Sequence, residues 1–127
     1  MIKAEDLRIG DLVRYGKDVI TLTAVHANGS VCFADGKDQM YAEDVLLEPI
    51  PLTCEILTSN GWGSKQIGLH EFLIYNEDNE MYLEWSDIGD RYTYNDFFRS
   101  KNFTTVRYVH ELQHILWAFG KDANLTI

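Results

Sequence analysis

A chain of 127 residues can form one compact domain or two very small lobes sharing an interface. Its composition, 46% apolar and 13% aromatic, excludes a disordered chain and allows a core without cross-links. Eleven basic against twenty acidic residues leave a net charge of −9 at pH 7. That balance argues against direct nucleic-acid binding, since phosphate backbones are held by cationic stripes that displace counterions.

The opening MIKAEDLRIG carries Lys3, Glu5, Asp6 and Arg8, unlike the apolar core of a signal peptide. No run of about eighteen apolar residues occurs, so no membrane span is expected. Cys32 and Cys54 have no C-x-x-C spacing and read as plain buried thiols. The expected setting is a reducing cytoplasm.

The first fifty residues read as short strands. DLVRY (Asp11–Tyr15) follows a tight bend at Gly10 and ends at the turn signal Gly16-Lys17. DVITLTAVHA (Asp18–Ala27) alternates Val19, Thr21, Thr23 and Val25 against Ile20, Leu22, Ala24 and His26. Branched and apolar residues at period two predict a long, half-buried strand. Asn28-Gly29 is the strongest hairpin dipeptide, because both central positions of a two-residue turn take positive φ. SVCFA (Ser30–Ala34) returns, Asp35-Gly36 turns into DQMYA (Asp38–Ala42), and LLEPI (Leu46–Ile50) closes the set. Short strands on tight turns predict a small, strongly curved SH3-like β-barrel over residues 1–50.

Pro49 and Pro51 end that set, since neither can donate to a ladder, and mark the border of two lobes. Thr53 predicts the N-cap of a short helix over Cys54–Asn60, with Glu55 in its first turn and Gly61 as its stop. Strands predicted at Gly68–Asn76, Glu80–Asp87, Arg91–Asp96 and Phe103–Arg107 make an antiparallel meander. Its aromatics Tyr75, Tyr82, Trp85, Tyr92, Tyr94, Phe97 and Phe98 read as cross-strand pairs. A helix from about Tyr108 to Phe119, ended by Gly120, is expected to cover this meander, and the tail ANLTI to add an edge strand. The expected class is therefore α+β, with residues 51–127 as the second lobe. Residues 77–90 hold Glu77, Asp78, Glu80, Glu84, Asp87 and Asp90 without one Lys or Arg. That run reads as a solvated hairpin, or as a surface that meets a basic partner or imitates nucleic acid.

The last helix carries the one pattern with chemistry in it. His110, Glu111 and His114 spell H-E-x-x-H, the spacing that lets two imidazoles on one helical face reach one zinc ion, with the glutamate as general base for the bound water. A catalytic zinc needs a third protein ligand. The extended form H-E-x-x-H-x-x-G-x-x-H fails here, because Trp117 stands at its glycine position and Gly120 at its last histidine. A third ligand would have to come from upstream, from His26, His70 or a carboxylate. A helical wheel gathers Tyr108, Val109, Leu112, Ile115, Leu116 and Phe119 on one arc, which predicts the core face. His110, His114 and Trp117 fall nearly opposite, with Glu111 at the margin, so the imidazoles are expected to face solvent or a partner.

The segments L-R-I-G-D-L-V (Leu7–Val13), E-P-I-P-L-T (Glu48–Thr53) and R-Y-V-H-E-L-Q-H (Arg107–His114), with Gly120, resemble a group of small uncharacterised proteins common in Bacteroidetes genomes, their phages and other mobile elements. The resemblance covers both ends and the middle, and is poor over residues 62–103. In that group the histidine helix often reads with glutamine or asparagine at the second and fifth positions of the motif. The resemblance thus implies packing or recognition in place of metal chemistry, and it brings no activity with it.

Together these features predict a non-catalytic protein-interaction or adaptor module with no cofactor. Its expected contact surface is His110, His114 and Trp117 on the last helix, plus Glu77, Asp78 and Glu80, facing a protein partner that complements their charge. Two other readings stay open. One is a zinc hydrolase with His110 and His114 as ligands and Glu111 as base, and the other an acidic inhibitor that mimics nucleic acid.

Overall fold

The computed structural model describes residues 2, 6–35, 38–75, 81–86, 91–96, 101–118, 120 and 123–127. The chain is α+β, with antiparallel strands in two five-stranded sheets and a short C-terminal helix. It divides into two compact units, residues 1–51 with 108–125 and 127, and residues 52–107 with 126. No helix among the described residues is long and apolar enough to cross a membrane.

The first unit contains β1 (Leu12–Tyr15), β2 (Asp18–Val25), β3 (Ser30–Asp35), β4 (Asp38–Glu43) and β5 (Leu47–Glu48), in the order β4-β3-β2-β1-β5. Strand β2 alternates as its sequence predicts, with Ile20 and Leu22 buried and Val19, Thr21 and Thr23 exposed. It serves two neighbours in succession. Residues Asp18 to Thr21 pair with β1, and from Leu22 onward the strand pairs with β3, with a register shift between Leu22 and Ala24. Val13, Ile20, Leu22, Val31, Phe33, Ala42 and Leu47 close over Ile2 and Leu7 as one core.

Among the described residues this sheet stays open, with no ladder joining β4 to β5. Strand β5 is only two residues long, and Pro49 follows it at once. A one-turn 3-10 helix over Asp44–Leu46 leads into it. The Asn28-Gly29 hairpin also differs from expectation. Gly29 N–H donates to the His26 carbonyl at 3.1 Å, so Ala27 and Asn28 are the central residues and the left-handed position, φ 92°, falls on Gly29 alone. Asn28 still shapes the turn, its Oδ1 accepting from the Ser30 backbone N–H at 3.0 Å.

The second unit opens with α1 (Cys54–Ser59), capped as expected: the Thr53 hydroxyl accepts from Ile56 N–H at 3.2 Å. Strands β6 (Gly63–Gln66), β7 (Glu71–Tyr75), β8 (Met81–Ser86), β9 (Arg91–Asp96) and β10 (Lys101–Val106) then pair in sequence order. Phe72 and Trp85 face each other across β7 and β8 with ring centroids 5.0 Å apart. Ile74, Leu83 and Val106 are buried, as are Leu52, Leu57 and Trp62. Strand β6 was not foreseen. Its GSKQ carries no apolar alternation, because it is an edge strand whose Ser64, Lys65 and Gln66 are all exposed.

Two further expectations need correction. Helix α2 (Val109–Ala118) belongs with the first unit and not with the meander. The tail ANLTI forms no strand; its Thr126 instead exchanges two hydrogen bonds with the Asn60 side chain, at 2.7 and 2.9 Å.

Candidate functional site

Helix α2 begins where the chain re-enters the first unit. Pro51 bridges Tyr108, and Val109 N–H donates to the Ile50 carbonyl at 2.9 Å. Glu111 then reaches back, accepting from the Tyr108 backbone N–H at 3.1 Å. This is the glutamate half of a capping box, and its charge also suits the positive end of the helix dipole. The glutamate of H-E-x-x-H therefore holds the first turn of its own helix.

Gln113 sets the rotation of α2. It is buried, with Oε1 accepting from Leu12 N–H at 2.9 Å and Nε2 donating to the carbonyls of Gly10 at 3.1 Å and Ala123 at 3.2 Å. Satisfied in this way, a polar side chain can occupy the centre of a core face. Val109, Leu112, Gln113 and Leu116 form that face, and His110 is buried at its edge. The face is turned by roughly 60° from the apolar arc of the wheel. The expectation that both imidazoles look outward is overturned by this rotation. His110 is only 6% exposed, and the His114 side chain is 20% exposed.

The second histidine has a fixed partner. His114 Nε2 lies 2.8 Å from both carboxylate oxygens of Asp11, and Asp11 is fully buried. A carboxylate can only accept, so Nε2 carries the proton. Asp11 Oδ2 also accepts from Arg8 N–H at 2.8 Å, and Asp11 N–H donates to the Arg8 carbonyl at 3.1 Å. The turn that results puts Gly10 at φ 95°. A Cβ there would stand 3.0 Å from the Trp117 ring, so glycine is required both by the backbone and by the indole. Trp117 is half-buried and stacks on His114, centroids 5.9 Å apart.

His110 is the exception. Its ring lies 5.7 Å from that of His114 and stacks on Tyr108 at 5.9 Å, yet its buried Nδ1 has no hydrogen-bond partner. Burial pulls its pKa below the ordinary 6.5; Asp11, Glu111 and Asp6 oppose that pull, and His114 adds to it. A neutral imidazole offers one nitrogen lone pair, a hydrogen-bond acceptor. Beside it opens a cavity of about 550 Å³, lined by Ile2, Asp6, Arg8, Pro49, Tyr108, His110, Glu111 and His114.

These residues do not fit a zinc centre. Among the described residues no three His, Cys, Asp or Glu side chains are grouped to hold a metal ion. His114 Nε2 is engaged by Asp11 and Glu111 caps the helix. Of the upstream histidines, His26 is turned to another partner, its Nε2 3.4 Å from Cys32 Sγ. Of the residues singled out in sequence, His110, Glu111, His114 and Trp117 come together on α2, while Glu77, Asp78 and Glu80 lie outside the described residues.

Asp11 and Gln113 were missed. Each left a signal: Asp11 is a lone carboxylate inside Ile9-Gly10-Asp11-Leu12-Val13, and Gln113 lies four residues after Val109 and three before Leu116, on their face. Comparison with protein-family models, curated proteins and solved structures finds no match to this chain.

Proposed function

We propose that the chain is a non-catalytic protein-binding module of a bacterial, phage or mobile-element system, working in the cytoplasm. Its recognition site is the cavity beside α2. The acidic run with Glu77, Asp78 and Glu80 is a separate contact for the same kind of basic partner. One observation carries this reading. The side chains that a zinc peptidase would commit to catalysis are already committed to the fold, Glu111 to the Tyr108 N–H and His114 to buried Asp11. A glutamate that caps its helix is poorly placed to take a proton from water.

The same reading takes the first unit as a small SH3-like barrel. A β2 that serves two ladders in turn, and a 3-10 turn before β5, support that shape. Such folds host many activities, so the cavity and not the fold carries the functional argument.

The test is elemental analysis of tag-free protein dialysed after incubation with zinc, together with a casein-cleavage assay. A zinc ratio near zero and no cleavage are expected. One retained zinc per chain, with cleavage that Glu111→Gln abolishes while zinc stays bound, would overturn the proposal.

A further inference from the structure

We propose that strand β4 is a docking edge, taking an extended, lysine- or arginine-bearing segment of a partner protein as a sixth, antiparallel strand of the first sheet. The edge shares no residue with the cavity beside α2, so the inference holds whatever that cavity binds.

Among the described residues the two sheets end in four edges, β4 and β5, β6 and β10. Three of them are blunted against further pairing. Strand β5 stops after two residues at Pro49. Strand β6 carries Lys65 within its exposed run, and β10 opens on Lys101 and has a register shift between Asn102 and Thr104. Short strands, lysines, prolines and bulges are the usual means of keeping an edge from recruiting another chain. Strand β4 has none of these. It runs six residues, Asp38–Glu43, without lysine or proline, in unbroken register from Ser30↔Glu43 to Asp35↔Asp38. It also presents Met40 at 42% exposure and Tyr41 at 68%.

The ladder defines which backbone groups are on offer. Asp44 N–H donates to the Gly29 carbonyl at 2.8 Å, in line with the β3–β4 register. Bonding alternates along an antiparallel pair, so Asp38, Met40 and Ala42 turn their backbone groups to β3, while Gln39, Tyr41 and Glu43 turn theirs outward. Among the described residues no strand meets those outward groups. An extended backbone is the ligand whose spacing matches them. Charge and shape then narrow its side chains. From residue 38 to residue 64 the chain carries Asp38, Glu43, Asp44, Glu48 and Glu55 with no Lys or Arg, within a net charge of −9. That field attracts a basic segment and repels a second copy. Beside the edge lies a cavity of about 370 Å³, walled by Tyr15, Ala42 and Leu46, which suits an apolar side chain. Residues opposite one another on paired strands share a face. Basic residues across from Gln39, Tyr41 and Glu43 would therefore alternate with apolar ones on the Ala42 side.

The experiment titrates full-length, isotope-labelled protein with acetyl-Lys-Val-Lys-Val-Lys-Val-amide in about 150 mM salt, where exposed charges are screened beyond about 8 Å. Amide resonances, hydrogen exchange and a fitted Kd are the readouts. Saturable binding should slow exchange of the Gln39, Tyr41 and Glu43 amides, and change little at Met40 and Ala42, whose amides already bond to β3. Two N-methylated isomers, one blocked at every lysine and one at every valine, keep the same charge and side chains. The lysine-blocked isomer should bind roughly tenfold or more weakly, since its lost N–H groups are those that face β4, and the valine-blocked isomer should bind like the parent peptide. Gln39→Lys combined with Glu43→Lys should lose the lysine peptide and gain acetyl-Glu-Val-Glu-Val-Glu-Val-amide. A gain of that kind is one that loss of fold could not produce.

Equal effects of the two N-methyl patterns, no added protection at Gln39, Tyr41 and Glu43, or a parent chain that prefers the glutamate peptide would each overturn the proposal. Sedimentation of the peptide-free protein tests the other occupant. A monomer is expected, and a dimer that protects the same three amides would give the edge to a second copy and overturn the assignment to a basic partner. The two proposals fail separately. A silent titration removes the β4 edge and leaves the α2 cavity as recognition site, whereas a retained catalytic zinc removes the non-catalytic reading and leaves the edge as it stands.

Discussion

Gln113→Leu is the sharpest test of the rotated helix face. By the apolar arc of the wheel, position 113 would sit off the core and the substitution would cost almost nothing. In the structure the amide satisfies three backbone groups, Leu12 N–H and the carbonyls of Gly10 and Ala123, and two of these bonds are fully buried. Leaving a buried backbone group unpaired costs about 1–3 kcal/mol. Two such groups give roughly 2–6 kcal/mol, and burial of a leucine side chain returns about 1.5–3 kcal/mol of that. The central values of the two ranges leave an expected net loss of about 2 kcal/mol. Urea unfolding followed by tryptophan fluorescence reads it, and because Trp117 is on α2 while Trp62 and Trp85 belong to the second unit, single-tryptophan variants separate the two units. Hydrogen exchange supplies a local readout, since the Leu12 amide should lose its protection. A Gln113→Leu protein within about 0.5 kcal/mol of the parent, with Leu12 still protected, would refute the reasoning.

Other substitutions probe the same site. Gly10→Ala forces a Cβ into the left-handed region at φ 95°, 3.0 Å from the Trp117 ring; a loss of at least about 1–2 kcal/mol is expected, and Trp117→Ala in the same chain should recover part of it. His110→Phe removes the unpartnered nitrogen, so stability at pH 7 should hold or rise by about 1 kcal/mol. It should also remove a pH dependence. The folded-state pKa of His110 is depressed by burial, so above pH 6.5 the histidine is neutral in both states and costs nothing. Below that, the unfolded chain binds a proton that the folded chain refuses, and stability falls until the folded pKa is reached. Paired urea titrations from pH 7.5 downwards should show the parent losing up to about 1.4 kcal/mol per pH unit relative to His110→Phe; parallel profiles would contradict the burial of His110.

Much of the fold was legible because its strands are half-buried. The in-and-out alternation of β2 and the threonine cap of α1 are local features, and each was read from neighbouring residues. What escaped depended on partners distant in the chain. Strand β6 is polar and exposed, so only its pairing with β7 identifies it. The face of α2 was misjudged because Gln113 counts as polar until its hydrogen-bond partners, Gly10 and Leu12, about a hundred residues earlier, are known. The H-E-x-x-H spacing was visible at once, yet its meaning changed when Asp11 took the second imidazole. Spacing on a helix gives neighbours, and it says nothing of what the opposite wall supplies.

The crossing between units has a practical consequence. The chain leaves the first unit beside the point where it returns: Pro51 faces Tyr108, Ile50 accepts from Val109, and one step further Leu52 N–H donates to Arg107 at 2.9 Å. Two strands that run side by side at such a junction need only a tight loop of about two to five residues to be joined. The meander is in that sense a detachable excursion, spliced into a contiguous parent fold. A shortened chain linking residue 51 to residue 108 through such a loop would retain the Gln113 clamp, the Asp11–His114 pair and every cavity-lining residue named above.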